Sequence, residues 1–304
     1  MSAVETGASI LQLDPPQELQ QRLLKQADSL AMIPAVAMQA LDATKDPDCP
    51  ISKFSSIVER DVKLASDILS MANSAMYAPP RPIASLHQAV VRLGFRQCKN
   101  LILTSSIAGL MQRVSLKQQW VRELLWQHSF TTALMGLNLN RVLHLGFQGE
   151  EFTAGLIHDL GRTLLAVLEP GLFPEFDPLD FVESFEIIER EQTIVGTDHC
   201  SLGGWFVQWS GLPDVLVDVV RYHHATELAG DNEKLVALTA LADHMSNHLQ
   251  HHGTHVGYDP TTNDAIERLV TLCGPTVMQK FMEQAPLLLE SVSKDTAEMI
   301  PPLR

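Results

Sequence analysis

Cysteine and positive charge are both scarce in this 304-residue chain. Cys49, Cys98, Cys200 and Cys273 lie far apart and form no C-x-x-C pair. That leaves neither a disulfide framework nor a dithiol motif, and the expectation is reduced, structural thiols in a cytosolic protein. Lysine and arginine number 22 against 36 aspartates and glutamates, a net charge of −14, and the cations nowhere cluster. Binding to a phosphate backbone rests on such clusters, so a nucleic-acid partner is not expected. Alternating β-branched runs long enough for a sheet are also missing. The greasiest segments, such as Leu101 to Met111, are too short and too interrupted to span a bilayer. The opening MSAVETGASI carries neither the basic region nor the apolar core of a secretory signal. Together these absences predict a cytoplasmic, all-α protein with no membrane segment. Apolar residues make up 45% and charged residues 19%, enough for a real core in one large domain or two.

Helical periodicity runs through the chain. After a loose lead-in over 1–16, Leu19, Leu23, Leu24 and Ala27 mark one face of a helix from about Gln17 to Leu30. Pro34 suits the first turn of the next helix, which runs through Leu41. Ser52 and Asp61 are candidate N-caps for two more. The Pro-Pro-Arg-Pro sequence at 79–82 makes a rigid connector. Ser85 with Gln88 fits a capping box, and Gly94 stands where a glycine stop belongs. A helical module is therefore expected over 17–115. A second, over 116–255, begins with a long helix from Trp120 to Leu143. The stretch 151–169, EFTAGLIHDLGRTLLAVLE, reads as one helix. Pro170, Pro174 and Pro178 mark an irregular connection, followed by helices at Phe181 to Thr193, Cys200 to Trp209, Pro213 to about Tyr222, and Lys234 to Leu249. A helical tail over 256–304 has helices at about Asp264 to Leu272 and Thr276 to Leu289, then a Pro-rich end.

The stretch at 151–169 organises the rest, because His158 and Asp159 sit side by side in otherwise apolar surroundings. Polar groups buried without partners cost several kcal/mol. Imidazole and carboxylate groups converging from different helices are how a divalent ion such as zinc, manganese or iron is held. His128, His158, Asp159 and Asp243 supply two nitrogens and two carboxylates, and His199, His223 and His224 add three nitrogens, enough for a second ion if Asp159 bridges. Two such ions can activate water and clamp a phosphate, with Arg162, Arg190 and Arg221 as the nearest cations. The competing readings are structural. The His-Asp pair can be a hydrogen bond locking two helices, and Tyr222-His223-His224 a polar helix end favoured by the dipole. Isolated histidines such as His87 and His144 read as surface or satisfied core residues. His244, His248, His251, His252 and His255 include zinc-like i, i+4 pairs. Met245 stands where a zinc-peptidase glutamate would be, so a solvated helix end is the better reading.

Taken in order, the segments IPAVAMQAL, IVERDVKLASDILSMANSAMY, RPIASLHQAVVRLGFRQCKNLIL, WQHSF, GLIHDLGR, GTDHCSLGGWFVQWSGLP and RYHH resemble the HDOD (HD-related output domain) proteins of the HD superfamily, from about Ile33 to Leu249. The resemblance implies an all-helical bundle, an HD-like C-terminal half behind an N-terminal helical module, of the kind found in bacterial signalling proteins. It places the HD metal ligands at His128, His158, Asp159 and Asp243, and the additional ligands of the HD-GYP phosphodiesterases at His199, His223 and His224. Asp159 and Arg162 become the candidate catalytic residues. Where HD-GYP enzymes have a lysine, this chain has Arg162, and Ala225-Thr226-Glu227 replaces the Gly-Tyr-Pro loop, which argues against cyclic di-GMP hydrolysis. Two functions follow as expectations. One is a regulatory protein acting through contacts with signalling proteins, its metal site structural. The other is a metal-dependent phosphohydrolase acting on a nucleotide or cyclic dinucleotide. A third reading is a sensor in which a bound nucleotide shifts the packing of the halves.

Overall fold

The computed structural model describes residues 14–25, 33–46, 48–74, 81–114, 116–182 and 186–299. Among them there is no strand, and the architecture is the helical bundle that the periodicity predicts. Two compact units form, one of residues 31–113 and a larger one of 1–30 with 114–304. The first helix, α1 (Gln17–Leu24), belongs to the larger unit, where Arg22 bonds Glu169 and the Leu168 carbonyl. Its expected continuation over 26–30 lies outside the described residues, as do 75–77 at the end of the segment that Asp61 opens, and Pro79 and Pro80 of the connector after it.

The smaller unit holds α2 (Ala35–Ala43), α3 (Ile51–Val58), α4 (Val62–Ala72) and α5 (Leu86–Arg113). Each buries a face at helical spacing, for example Ala37, Ala40 and Leu41 on α2 and Leu64, Ile68 and Ala72 on α4. Asp61 caps α4, accepting hydrogen bonds from the backbone N–H of Lys63 and Leu64 at 3.0 and 3.1 Å. Ser52 does not cap α3. Pro50 takes the N-cap position with its fixed φ of −62°, so the helix starts one residue ahead of the serine. Gly94 stops the helical geometry (φ 73°, ψ 162°) but not the helix, which kinks there and resumes.

The larger unit continues with α6 (Gln119–Leu143), α7 (Glu150–Ile157), α8 (Leu160–Leu168), the single turn α9 (Phe173–Phe176), α10 (Glu186–Val195), α11 (His199–Trp209), α12 (Asp214–Tyr222), α13 (Glu233–His252), α14 (Ala265–Cys273) and α15 (Thr276–Met299). One apolar core joins Met135 and Leu139 of α6, Leu238 and Leu241 of α13, Leu269 of α14 and Phe281 and Leu289 of α15. The last helix runs beyond the expected Leu289, through Pro286, to Met299. Helix α10 starts at Glu186, later than the expected Phe181. Pro178 biases Asp177 to extended backbone (φ −128°, ψ 96°), and Leu179 and Phe181 are left-handed, so residues 177–181 are not helical; 183–185 lie outside the described residues.

The expected single helix over 151–169 is two. His158 closes α7 and Asp159 (φ −99°, ψ 18°) leaves helical geometry before α8 begins. Two glycines set the neighbours of this break. A Cβ on Gly155 would lie 2.5 Å from the Ala133 Cα of α6, and one on Gly161 would lie 1.8 Å from the His199 carbonyl oxygen of α11. Backbone therefore meets backbone on both sides, which brings the helices of His128 and His199 up to the His-Asp step.

Candidate metal centre

The break aims His158 and Asp159 into the same space, and four other helices add to it. His128 comes from the middle of α6, His199 from the first residue of α11, His223 from the end of α12 and Asp243 from the middle of α13. All six side chains are buried. His128, His158 and Asp159 each offer one ligand atom within 4.8 Å of the others, and so do His199, Cys200, His223 and His224.

Four of the imidazoles are oriented by the same device. The Nδ1 of His158 donates to the Gly155 carbonyl at 2.9 Å, and that of His223 faces the Val219 and Val220 carbonyls at 3.2 and 3.1 Å. His128 Nδ1 meets Gln250 Oε1 at 2.7 Å, and His199 Nδ1 meets Glu191 Oε2 at 2.7 Å. An acceptor on the outer nitrogen fixes the proton there and leaves the Nε2 lone pair pointing inward, as metal-ligating histidines require. Inside, His128 Nε2 stands 3.2 Å from His158 Nε2 and 2.9 Å from Asp243 Oδ1. Asp159 Oδ2 is 3.5 and 3.7 Å from the same two nitrogens. Its other oxygen, Oδ1, is 3.6 Å from His199 Nε2 and 3.5 Å from His223 Nε2, and these two nitrogens have no hydrogen-bond partner.

Lone pairs facing lone pairs at these separations repel unless a cation lies among them. Ligand atoms about 2.0–2.1 Å from one zinc ion in a tetrahedron stand roughly 3.3 Å apart. The residues present fit a divalent ion between His128, His158, Asp159 and Asp243. They fit a second beside His199, His223 and His224, with one Asp159 oxygen directed to each. Bound there, an ion supplies a Lewis acid and a water of lowered pKa.

Without an ion, protons carry the compensation. Burial disfavours charge on His158, but Asp159 and Asp243 outweigh it and raise its pKa above the usual 6.5. Burial also works against ionised Asp159 and Asp243, and His158 foremost among their cationic neighbours holds both well below the carboxylate range. His224 is pushed well below 6.5 by burial, then by His223 and His199. Burial pushes the Cys200 thiol up to about 12, so it is protonated at neutral pH. The metal-free protein should therefore lose stability on the alkaline side. A histidine whose folded pKa is raised contributes fully below its unfolded value of 6.5, and that contribution fades as pH climbs through the folded value. Urea midpoints in chelator are expected to fall from about pH 6 to about pH 9, with a flatter profile once metal is loaded. A profile identical with and without metal would contradict this.

Arg162, expected as a catalytic group, is buried and fully committed. Its Nε and Nη2 fork onto both oxygens of Asp177 at 2.8 Å each, and Nη1 donates to Asp159 Oδ2 at 2.9 Å. Arg221 donates to Gln208, away from the centre, whereas Arg190 lines a cavity of about 30 Å³ that also touches Asp159, His199, His224 and Asp243. A wider cavity of about 730 Å³ reaches His223 and His224 from the other side but not the carboxylates. His251 and His252 lie exposed at the end of α13, as expected of a solvated helix end, but His244 and His248, expected with them, are half-buried, and His244 Nδ1 lies 3.2 Å from the Tyr258 hydroxyl. The orienting partners Glu191, Gln250 and Asp177, and Cys200 as a neighbour of the histidines, carried no signal in sequence spacing.

The model of the HDOD domain family matches residues 30–226. An uncharacterized protein of Treponema pallidum (strain Nichols) is 22% identical over 218 residues, 71% of this chain and 42% of its own length, so the chain spans under half of that relative. Among solved structures, an HDOD domain protein with unknown function from Geobacter sulfurreducens is similar with a TM-score of 0.67, 20% identity and coverage of 91% of this chain and 97% of that one. A "Putative metal-dependent phosphohydrolase" from Shewanella amazonensis SB2B is similar at TM-score 0.55 and 19% identity, covering 92% and 98%. A "Putative signal transduction protein" from Marinobacter aquaeolei VT8 is similar at TM-score 0.58 and 18% identity, covering 95% and 68%. At these identities the structural likeness is one of fold. No helix among the described residues is long and apolar enough to cross a membrane.

Proposed function

This chain belongs to the HDOD domain family, and from that premise we propose that it is a regulatory module that works through contacts with signalling proteins, with an HD-type metal centre that holds the larger unit together. The observation that carries this reading is the inward convergence of lone pairs from four helices onto Asp159 and Asp243, next to a cavity of only about 30 Å³. Space of that order takes about one water molecule. A cation there ties α6, the α7–α8 break, α11, α12 and α13 to one point, which is a structural role. His128, His158, Asp159 and Asp243 would hold one ion, and His199, His223 and His224 with the second Asp159 oxygen would hold another.

Elemental analysis and melting test the metal. Manganese, iron or zinc at about 100 times its dissociation constant adds about 2.7 kcal/mol, or roughly 5–10 °C in melting temperature for a unit of this size. His158→Ala should abolish the rise, and a rise of equal size in that variant would sink the assignment. The regulatory reading fails if the metal-loaded protein turns over a nucleotide robustly while no signalling protein binds it.

The alternative is a metal-dependent phosphohydrolase acting on a nucleotide or cyclic dinucleotide. One feature favours it: the two oxygens of Asp159 face two separate histidine groups, the arrangement a bridging carboxylate needs. Absence of product from a nucleotide panel with manganese- or iron-loaded protein rules it out.

A further inference from the structure

The segment 177–182 crosses the mouth of the metal centre and is held there at four points. Asp177 grips Arg162 through both oxygens at 2.8 Å, and its Oδ1 also accepts the Leu179 backbone N–H at 3.0 Å. The Phe181 ring stacks on His128, centroids 5.1 Å apart and 28° from parallel. The Arg162 guanidinium lies 5.1 Å from the same ring. From α13, His251 Nδ1 donates to the Asp180 carbonyl at 2.7 Å.

Nothing in the local sequence favours this path. Leu179 and Phe181 are both left-handed (φ 54° and 53°) with no glycine in the segment, and bulky side chains hold that geometry only when their surroundings enforce it. Those surroundings are the four contacts above. Inside the segment, the cavity bounded by Phe181, Asp180, Asp159, His199 and Asp243 measures about 30 Å³, space for about one water and not for a phosphoryl group. The wider cavity on the far side, about 730 Å³, is lined by His223 and His224 but not by Asp159 or Asp243, so the segment closes the approach to the two aspartates and leaves the His223 and His224 face open.

We propose that residues 177–182 are a strap that restricts the Asp159 and Asp243 face of the metal centre to a water-sized ligand, and that Asp177 and Phe181 are the residues that keep it shut. This rests on the reading of the centre as a metal site and names what that site admits. From this side a phosphate or phosphoester reaches an ion held by His128, Asp159 and Asp243 only after the strap is released, and the strained backbone at Leu179 and Phe181 favours release once the contacts are broken.

The test uses the full chain as wild type, Phe181→Ala, which removes the plug and leaves the Arg162–Asp177 fork, and His251→Ala, which removes an exposed tether and spares the fold. Hydrogen exchange of the 179–182 amides is read in chelator, so it needs no metal. Release of manganese to excess chelator, and binding of inorganic phosphate to the manganese form, are read separately. Exchange and release at least tenfold faster in Phe181→Ala, smaller increases in His251→Ala, unchanged manganese stoichiometry, and phosphate binding at least tenfold tighter in Phe181→Ala than in wild type are the expected results. Wild-type exchange and release rates in both variants, or phosphate binding equally well to wild type, overturn the strap. Wild type that takes up no metal overturns the metal reading alone, and the exchange data then still decide whether the segment is a closed strap.

Discussion

Gly161→Ala is expected to lower the melting temperature by roughly 10 °C or more and to cost the protein metal at the His199 side of the centre. The new Cβ would sit 1.8 Å from the His199 carbonyl oxygen and 2.6 Å from its carbonyl carbon. Both are backbone atoms at the start of α11, so no side-chain rotation relieves the clash. Overpacking of a close-packed interior costs about 1–3 kcal/mol and sometimes more, and a contact this short belongs at or beyond the top of that range. At roughly 2–4 °C per kcal/mol for a unit of this size, about 3 kcal/mol gives the stated shift. The displaced atoms belong to the residue whose Nε2 faces Asp159 Oδ1 at 3.6 Å, so the imidazole moves with the helix. Gly204→Ala is the graded control, because its Cβ would meet the flexible Arg221 side chain, Cγ at 2.2 Å. Gly171→Ala has nothing within 4 Å and should melt with wild type. Equal melting of Gly161→Ala and Gly171→Ala would show that α8 and α11 are not in backbone contact.

The same glycine shows where sequence reasoning stops. The ligand types were legible because histidines and aspartates in apolar helices demand partners, and the structure brings His128, His158, Asp159, His199, His223 and Asp243 to one point, with His224 alongside. Helix identity was legible too, since the buried faces of α6 and α13 recur at helical spacing. The break at His158–Asp159 was not legible. The residues around it have good helical propensity, and what stops the helix is the contact of its two halves with different neighbours through Gly155 and Gly161. A glycine spared for close approach looks in sequence like any other glycine. The roles of Glu191, Gln250 and Asp177 depend on long-range placement: 122 residues separate Gln250 from the histidine it orients. The left-handed Leu179 and Phe181 oppose local preference and exist only because tertiary contacts override it.

Arg162→Ala separates a structural clamp from a catalytic cation. Its guanidinium bridges Asp177 and Asp159, and all three side chains are nearly inaccessible, at 7%, 1% and 6%. Asp177 and Asp159 account for the raised Arg162 pKa against the cost of burial. Truncation leaves two buried carboxylates without their cation, and breaking a buried pair in this way costs about 3–5 kcal/mol. A melting loss of roughly 10 °C is therefore expected whether or not substrate is present. Arg162→Lys keeps a charge but not the planar fork, so it should recover only part of the loss. The double variant Arg162→Ala/Asp177→Ala should lose less than the sum of the two single ones, by about 0.5–3 kcal/mol, because removing the second partner also removes a stranded charge. A cation kept for substrate would behave in the opposite way, with melting within about 0.5 kcal/mol of wild type and the whole effect in phosphate binding. Arg162 Nη1 holds Asp159 Oδ2 at 2.9 Å, so the clamp also fixes which oxygen faces which group of histidines. Loss of manganese stoichiometry in Arg162→Ala and its recovery in Arg162→Lys would follow from that placement.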